Sequence, residues 1–196
     1  MITEARVIGI TPGIVQSNDF EAIKKSFETT LDLLILRFAS EKEFNKNFSN
    51  LVTLGKDLNK QVVVNSRHIN LISQNFNLHL TSKDLMKYNE RPISQNNILG
   101  ASCHNEEEVL RANKIECDYL LISPINHSKG KSGLGWDNFN SLTSLSSRPC
   151  FALGGMKKKD LPKALAHGGN GIAGISFIKD QSLSLIHISE PTRLTR

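Results

Sequence analysis

The sequence is short of the residues that mark several classes of protein. Only three of its 196 residues are cysteines, and they lack the C-x-x-C spacing of a zinc or redox site. An odd number of cysteines in or beside apolar runs indicates buried free thiols in a reducing compartment. No apolar run approaches the ~20 residues of a membrane span, and no export signal is visible at the N-terminus. We therefore expect a cytoplasmic protein without a membrane partner.

Aromatic residues and concentrated positive charge are scarce as well. Aromatics make up 6% of the chain, and the basic residues behind its net charge of +5 are scattered except at Lys157–Lys159. Nucleic-acid binding usually needs a basic surface together with side chains that stack on or read the bases. We therefore expect no nucleic-acid partner, and we interpret the lysine run as a solvated helix start.

Eight short apolar runs recur along the chain, with amphipathic stretches between them. Runs that are apolar throughout indicate parallel strands buried on both faces, because a half-exposed strand would alternate. The predicted strands are VIGIT (7–11), LLILRF (33–38), QVVVN (61–65), LHL (78–80), ILGASC (98–103), YLLISP (119–124), CFALGG (150–155) and GIAGIS (171–176).

The alternation of strands and helices predicts the fold class. Asn105 followed by Glu106–Glu108 is typical of a helix start, since acidic side chains suit the positive end of the helix dipole. Eight strands alternating with about seven helices predict an α/β protein with a (β/α)8 TIM barrel. An open doubly wound sheet is the alternative, and the lack of G-x-G-x-x-G after the first strand disfavours it.

Two neighbouring predicted strands end in small residues. Gly154 and Gly155 close the seventh strand, and Gly174, Ile175 and Ser176 close the eighth. In a barrel, the loops after these strands often bind phosphate, since glycine lets backbone N–H groups approach the phosphate oxygens closely. We therefore predict a phosphate site at these positions, with a simple tight turn at the two glycines as the alternative.

Seven segments in order resemble one known family. They are VVVNSRH, LHLTSKDL, GASCHNEEEVLRA, CDYLLISPI, GLGWDNF, FALGGM and GIAGIS. Together they resemble the thiamine phosphate synthase/TenI family over Val7 to about Lys179, most closely the synthase-like domain fused behind Nudix hydrolase domains in some bacterial proteins. The resemblance implies a (β/α)8 barrel that joins a hydroxymethylpyrimidine diphosphate to a thiazole phosphate and releases pyrophosphate. Its substrates are small phosphorylated molecules of thiamine biosynthesis.

The resemblance also implies roles for residues at the strand ends. The implied catalytic residues are Arg37 and Lys129 (or Lys131), which hold pyrophosphate, and Ser102, which contacts the pyrimidine or the diphosphate. Asp84 is the implied ligand of a Mg²⁺ cofactor, as suits a hard carboxylate oxygen.

The substrate-binding residues follow from the same motifs. By the resemblance, Asn65 would bind the pyrimidine, and the ends of strands 7 and 8 would hold the thiazole phosphate. His104, just past the fifth strand, is expected at the edge of the site. His79, within the fourth strand, is interpreted mainly as a structural residue, with a catalytic role as the alternative.

Several positions depart from the family pattern. Ile35 and Ala39 stand where the family has Gln and Lys on either side of Arg37, and Ser66 replaces one of two magnesium carboxylates. The loop after Pro124 lacks the usual Thr-x-Thr-Lys, and Pro124 itself replaces the histidine of the TenI isomerase branch. Two functions therefore stay open: a synthase, or a degenerate non-catalytic barrel that binds a phosphorylated thiazole or thiamine ligand.

The last residues differ in character from the rest of the chain. LSLIHISEPTR, from Leu183 to Arg193, resembles the translation of a transposase sequencing adaptor, and scars of this kind are excluded from fold reasoning. We predict a barrel domain over 1–182 and a non-native tail over 183–196, with a native amphipathic segment as the alternative. The eighth helix is then truncated, and the apolar surface it leaves favours a homodimer. A former Nudix fusion partner is a further expectation.

Overall fold

All eight predicted apolar runs are strands, and they close into one parallel barrel in chain order, with the eighth strand paired to the first. This computed structural model describes residues 2–73, 75–126 and 132–179. The (β/α)8 prediction is confirmed, and the open sheet is wrong. The strands are β1 Val7–Ile10, β2 Leu33–Leu36, β3 Gln61–Asn65, β4 Leu78–Leu80, β5 Leu99–Cys103, β6 Tyr119–Ile122, β7 Cys150–Leu153 and β8 Gly171–Gly174.

Helices follow the strands around the outside of the barrel. The helix start predicted at Asn105 is present: the Asn105 side chain caps the helix by accepting a hydrogen bond from the Glu108 N–H at 3.0 Å. After β3 the chain forms only a 3₁₀ segment, Ser66–Leu71, in place of a longer helix. The helices are α1 Ser17–Thr29, α2 Glu41–Asp57, α3 Ser82–Leu85, α4 Glu106–Lys114, α5 Gly135–Leu145, α6 Leu161–Ala166 and α7 Ser176–Lys179, with short 3₁₀ turns at Ile2–Glu4 and Lys158–Asp160.

The apolar residues form two separate clusters because neighbouring strand residues point to opposite faces of the sheet. One face packs against the helices, as Leu34 and Leu120 do. The other face fills the barrel interior, where Ile35, Tyr119 and Phe151 lie. The interior is therefore a packed core, and any site must lie at the ends of the strands.

The end of the described chain packs on the first helix. Phe177 and Ile178 of α7 are buried, and the Ser26 hydroxyl of α1 donates to the Phe177 carbonyl at 3.3 Å. The native-to-tail boundary and the predicted non-helical tail over 183–196 lie outside the described residues.

The expectations drawn from cysteine and from apolar run length have structural counterparts. Cys103, Cys117 and Cys150 are buried and unpaired, and burial raises the pKa of Cys117 to about 12 and that of Cys150 to about 11. Within the described ranges, none of the helices combines the length and the apolar character that crossing a bilayer requires.

Candidate active site

The two glycine-bearing strand ends lie side by side at the carboxyl end of the barrel. β7 and β8 are adjacent and parallel, with Leu153 opposite Ala173, so the residues that follow both strands emerge at the same rim. The Ser176 hydroxyl bridges them by donating to the Met156 carbonyl at 3.2 Å. We name Gly154, Gly155 and Gly174–Ser176 the glycine rim.

Backbone conformation and packing both require glycine at Gly154. Its φ of +105° is one that other residues rarely adopt, and a Cβ there would lie 2.8 Å from the Pro124 Cα. Gly155 also has a positive φ, of +70°, and is exposed. Among the described residues, none accepts a hydrogen bond from the N–H groups of Gly155 and Met156. Two free backbone donors beside an exposed glycine are the chemistry that phosphate oxygens need.

The loop after β6 is tied to the glycine rim. The Ile125 N–H donates to the Leu153 carbonyl at 2.9 Å, and the Asn126 side-chain amide donates to the Gly155 carbonyl at 3.3 Å. Lys129 and Lys131, the predicted pyrophosphate lysines, follow directly but lie outside the described residues.

A second group of candidates lies at the ends of β2 and β3. Leu36 pairs with Val64, which places Arg37 beside Asn65, and the Phe38 N–H donates to the His68 Nε2 at 3.1 Å. The Asn65 side-chain oxygen accepts from the Arg67 N–H at 3.1 Å, so the Asn65 amide group is left to face a ligand. These bonds hold the two strand ends together as one surface.

Arg37 and Arg67 form a pair of like charges on this surface. Partial burial of the Arg37 guanidinium, although the residue as a whole is exposed, and then the charge of Arg67 lower the pKa of Arg37. Neither guanidinium has a hydrogen-bond or ion-pair partner among the described residues. Two unpaired guanidiniums in mutual repulsion are a suitable site for a polyanion. Arg67 was not predicted from the sequence as a site residue. Its position just after Asn65 and Ser66, at the end of the third strand, is the sequence feature that indicates it.

Asp84 lies at the end of β4 in a dense set of hydrogen bonds. Its Oδ2 accepts from the Ser66 hydroxyl at 2.6 Å and from the Thr81 hydroxyl at 2.8 Å, and its Oδ1 contacts the Lys87 ammonium at 2.6 Å. Burial alone would raise the pKa of Asp84, but the hydrogen bonds from Lys87, Ser66 and Thr81 outweigh burial and lower it. We name Arg37, Asn65–Arg67, Asp84 and Lys87 the charged rim.

The hydrogen bonds that Asp84 accepts determine which of its oxygens could bind a magnesium ion. Within the described ranges, no group of three or more His, Cys, Asp or Glu residues is placed to hold a metal. Asp84 offers one oxygen, Oδ1, and Lys87 now occupies it; Lys87 has a side chain 60% exposed, so it is free to swing away. The residues fit a single carboxylate contact to Mg²⁺ and not a two-carboxylate site.

Two of the positions that depart from the family pattern lie in different surroundings. Ile35 is 1% exposed and fills the barrel interior, where a glutamine would need a polar partner. Ala39 lies against the loop after β1, with its N–H donating to the Gly13 carbonyl at 2.7 Å. Ala39 brings no cation, whereas Arg67 brings one close enough to lower the pKa of Arg37.

A polar chain runs from the barrel interior to Ser102. The His79 Nδ1 lies 3.0 Å from the Tyr119 hydroxyl, and the His79 Nε2 lies 2.9 Å from the Ser102 hydroxyl. His79 and Tyr119 are fully buried, whereas Ser102 is partly exposed. His79 is therefore buried in the barrel and contacts a predicted catalytic residue, and both its structural and its catalytic interpretation stay predictions. Burial lowers the pKa of His79 to about 3.

His104 lies at the end of β5, as predicted from the sequence. The ring Nδ1 of His104 contacts the Ser123 carbonyl oxygen at 2.5 Å, and the backbone N–H of His104 donates to the Glu108 carboxylate at 2.6 Å. The ring therefore spans the ends of β5 and β6, and its Nε2 is left to face outward.

Comparison with known proteins decides the family. A sequence profile described as thiamine monophosphate synthase matches residues 7–178, nearly all of the barrel. The chain belongs to the thiamine phosphate synthase/TenI family. A thiamine-phosphate synthase from Prochlorococcus marinus subsp. pastoris is 28% identical to this member over 87% of the chain and 52% of the relative. The chain therefore spans about half the length of that curated relative.

Solved structures of the family share the fold. A thiamine phosphate pyrophosphorylase from Pyrococcus furiosus aligns with a TM-score of 0.70 at 20% identity, over 89% of this chain and 87% of that one. The corresponding protein from Bacteroides thetaiotaomicron aligns with a TM-score of 0.60 at 19% identity, over 94% and 89% of the two chains. At such identities the likeness establishes the barrel and leaves the chemistry to the site residues.

Proposed function

We propose that the chain is a thiamine phosphate synthase that transfers a hydroxymethylpyrimidine group from its diphosphate to a thiazole phosphate and releases pyrophosphate. One observation carries the proposal: the same barrel end offers free backbone donors on one side and two unpaired guanidiniums on the other. A reaction between two phosphorylated partners needs two anion sites facing one cavity. Membership of the family supports this assignment.

The two rims would divide the substrates between them. Gly155, Met156 and Ser176 suit a single phosphate, since their contacts come from backbone N–H groups and one hydroxyl. Arg37 and Arg67 suit the diphosphate, since guanidiniums bind several phosphate oxygens at once. The pyrimidine would lie between the rims, with the Asn65 amide and the Ser102 hydroxyl within reach of its polar edge.

This reaction requires stabilisation of the leaving pyrophosphate more than it requires a strong base. The C–O bond to the diphosphate breaks, pyrophosphate leaves with the electron pair, and the thiazole nitrogen gives its lone pair to the resulting pyrimidine cation. Positive charge fixed around the pyrophosphate lowers the barrier, and a lost contact of this kind typically costs about 100-fold or more in rate. The proposed sources of that charge are Arg37, Arg67 and Lys129, of which Lys129 lies outside the described residues.

Magnesium stays a prediction, and we propose Asp84 as its one carboxylate ligand. Substrate phosphates and water would complete the coordination, as is usual for Mg²⁺. When bound, the ion would neutralise charge on the departing pyrophosphate. A cytoplasmic location, a homodimer and a former Nudix fusion partner also stay predictions that rest on the sequence.

The test is synthesis by the purified chain. Hydroxymethylpyrimidine diphosphate and thiazole phosphate are supplied with and without Mg²⁺, and thiamine phosphate and pyrophosphate are quantified. We expect turnover in the native chain and a fall of about 100-fold in Arg37→Gln. Lys24→Gln, on the exposed face of α1, removes the same charge elsewhere and should keep the native rate. A folded chain that forms no product would contradict the proposal.

A non-catalytic barrel is the second candidate, and the Asp84 cluster favours it. Ser66 replaces a carboxylate, and Lys87 occupies the one oxygen that would meet a metal. Such a protein would bind thiazole phosphate or thiamine phosphate without turnover. Thermal shifts by these ligands, together with no product in the synthesis assay, would favour this candidate.

A further inference from the structure

Three polar side chains, His79, Tyr119 and Ser102, join in one chain that begins in the otherwise largely apolar interior cluster of the barrel. At one level of the barrel, His79 of β4 and Tyr119 of β6 lie on either side of Gly100 in β5. Because Gly100 has no side chain, the two rings meet across it, with centroids 5.6 Å apart and planes 26° apart. A Cβ at Gly100 would lie 2.1 Å from the Tyr119 ring. Ser102, two residues further along β5, continues the chain toward the carboxyl end.

The chain of hydrogen bonds has only one direction that satisfies every buried group. Within the described residues, His79 is the only hydrogen-bond partner of the Tyr119 hydroxyl. A buried hydroxyl whose hydrogen finds no acceptor is unfavourable, so the Tyr119 O–H donates to the His79 Nδ1. The Nδ1 of His79 then carries no proton.

The protonation state of His79 then sets the direction of its hydrogen bond with Ser102. Complete burial disfavours the imidazolium, so the ring is neutral and carries one N–H. With Nδ1 accepting, that N–H is on Nε2 and donates to the Ser102 oxygen 2.9 Å away. The hydrogen of the Ser102 hydroxyl is then not needed inside the barrel and points to the carboxyl end.

We propose that Tyr119 and His79 are positioning residues that fix Ser102 as a hydrogen-bond donor toward the ligand. The position thereby selects a ligand atom that accepts a hydrogen bond, either a phosphate oxygen or an unprotonated ring nitrogen of the pyrimidine diphosphate. The identity of that ligand rests on the proposed function, whereas the direction of the hydrogen bonds does not. Neither Tyr119 nor His79 contacts the ligand.

The direction is measured on the native chain by ¹⁵N NMR of its histidine side chains. The His79 signals are assigned by their loss in His79→Gln. We expect a protonated Nε2 and an unprotonated Nδ1 at neutral pH, and in Tyr119→Phe a mixture of both tautomers. A ring protonated at Nδ1, or at both nitrogens, overturns the proposal. A merely structural role for Tyr119 would not move this signature.

The consequence for the ligand is measured by calorimetry with hydroxymethylpyrimidine diphosphate and with pyrophosphate. Ser102→Ala should weaken binding of the diphosphate about tenfold, and Tyr119→Phe several-fold. The double variant should be no weaker than Ser102→Ala, because Tyr119 acts only through Ser102. A parallel loss with pyrophosphate assigns the acceptor to a phosphate oxygen, and a loss confined to the diphosphate assigns it to the ring.

The control is Tyr88→Phe, which removes the hydroxyl of the other tyrosine, packed outside the barrel interior. Equal affinity in Tyr119→Phe, Tyr88→Phe and the native chain would overturn the proposal, as would multiplied losses in the double variant. A chain that binds the diphosphate in this Ser102-dependent way but forms no product would refute the proposed synthase while leaving the positioning role intact.

Discussion

The glycine rim and the charged rim face each other across the same barrel end but are built in different ways. The glycine rim presents backbone groups, and its shape follows from two adjacent strand ends with positive φ angles at Gly154 and Gly155. The charged rim presents side chains whose charged groups come together only after the fold has formed. A backbone site varies little unless the fold changes, whereas a side-chain site can exchange one charge for another.

The charged rim illustrates such an exchange. A carboxylate is replaced by Ser66 and a lysine by Ala39, while Arg67 and Lys87 bring two cations to the same surface. If a metal binds here, we expect fewer of its contacts to come from carboxylates and more of the positive charge to come from the protein itself.

The largest effect should follow from filling the glycine rim. Gly154→Ala adds a Cβ 2.8 Å from the Pro124 backbone at a φ of +105°, so it should lower the free energy of unfolding by about 3 kcal/mol. Urea denaturation measures the change. Gly135→Ala is the matched control, since its φ is +75° and nothing lies within 4 Å of the added Cβ. Equal losses in both variants would mean that packing against Pro124 contributes nothing.

The next effect is a loss of stability in acid, and it arises from the interior that separates the two rims. The pKa of His79 is about 3 in the folded chain, against an ordinary value of 6.5. Below pH 6.5 the unfolded chain therefore binds a proton at His79 that the folded chain does not. The contribution of the neutral imidazole to stability is thus fully present above pH 6.5 and is lost as the pH falls toward 3. Between pH 7 and pH 5 this residue should cost about 2 kcal/mol of unfolding free energy. The loss over this range should be smaller by that amount in His79→Gln. An identical pH dependence in both proteins would contradict the buried neutral imidazole.

A smaller effect should separate the rims by ligand. Arg67→Gln should weaken pyrophosphate binding about tenfold and leave thiazole phosphate binding nearly unchanged, because only the charged rim loses a guanidinium. Calorimetry with both ligands measures this, and Lys24→Gln controls for net charge. Equal weakening of both ligands would show that the two rims do not divide the substrates.

The smallest effect concerns the lost carboxylate. Ser66 lies 2.6 Å from Asp84, so Ser66→Asp places two carboxylates together and should strengthen Mg²⁺-dependent binding of the pyrimidine diphosphate roughly fivefold. Ser66→Asn, of the same shape without the charge, is the control. No gain in calorimetry would mean that positions 66 and 84 do not share a metal.

The sequence by itself determined the barrel, the strand ends and the glycine rim. Apolar runs, helix caps such as Asn105 and paired glycines act on their own neighbourhood, so their consequences are visible over a few residues. The eight strand positions followed from such local patterns, and the strand ends placed Arg37, Asn65, Ser102 and Asp84 at one end of the barrel.

Only the tertiary structure decided which side chains meet. Arg67 comes near enough to Arg37 to lower its pKa because β2 and β3 pair in one particular register. Tyr119 reaches His79, 40 residues away in the chain, across a glycine in the strand between them. Such contacts depend on register and on the direction of side chains across the closed barrel, which no local pattern contains. The neutral state of His79, and with it the direction in which Ser102 donates, follows from burial that exists only in the folded chain.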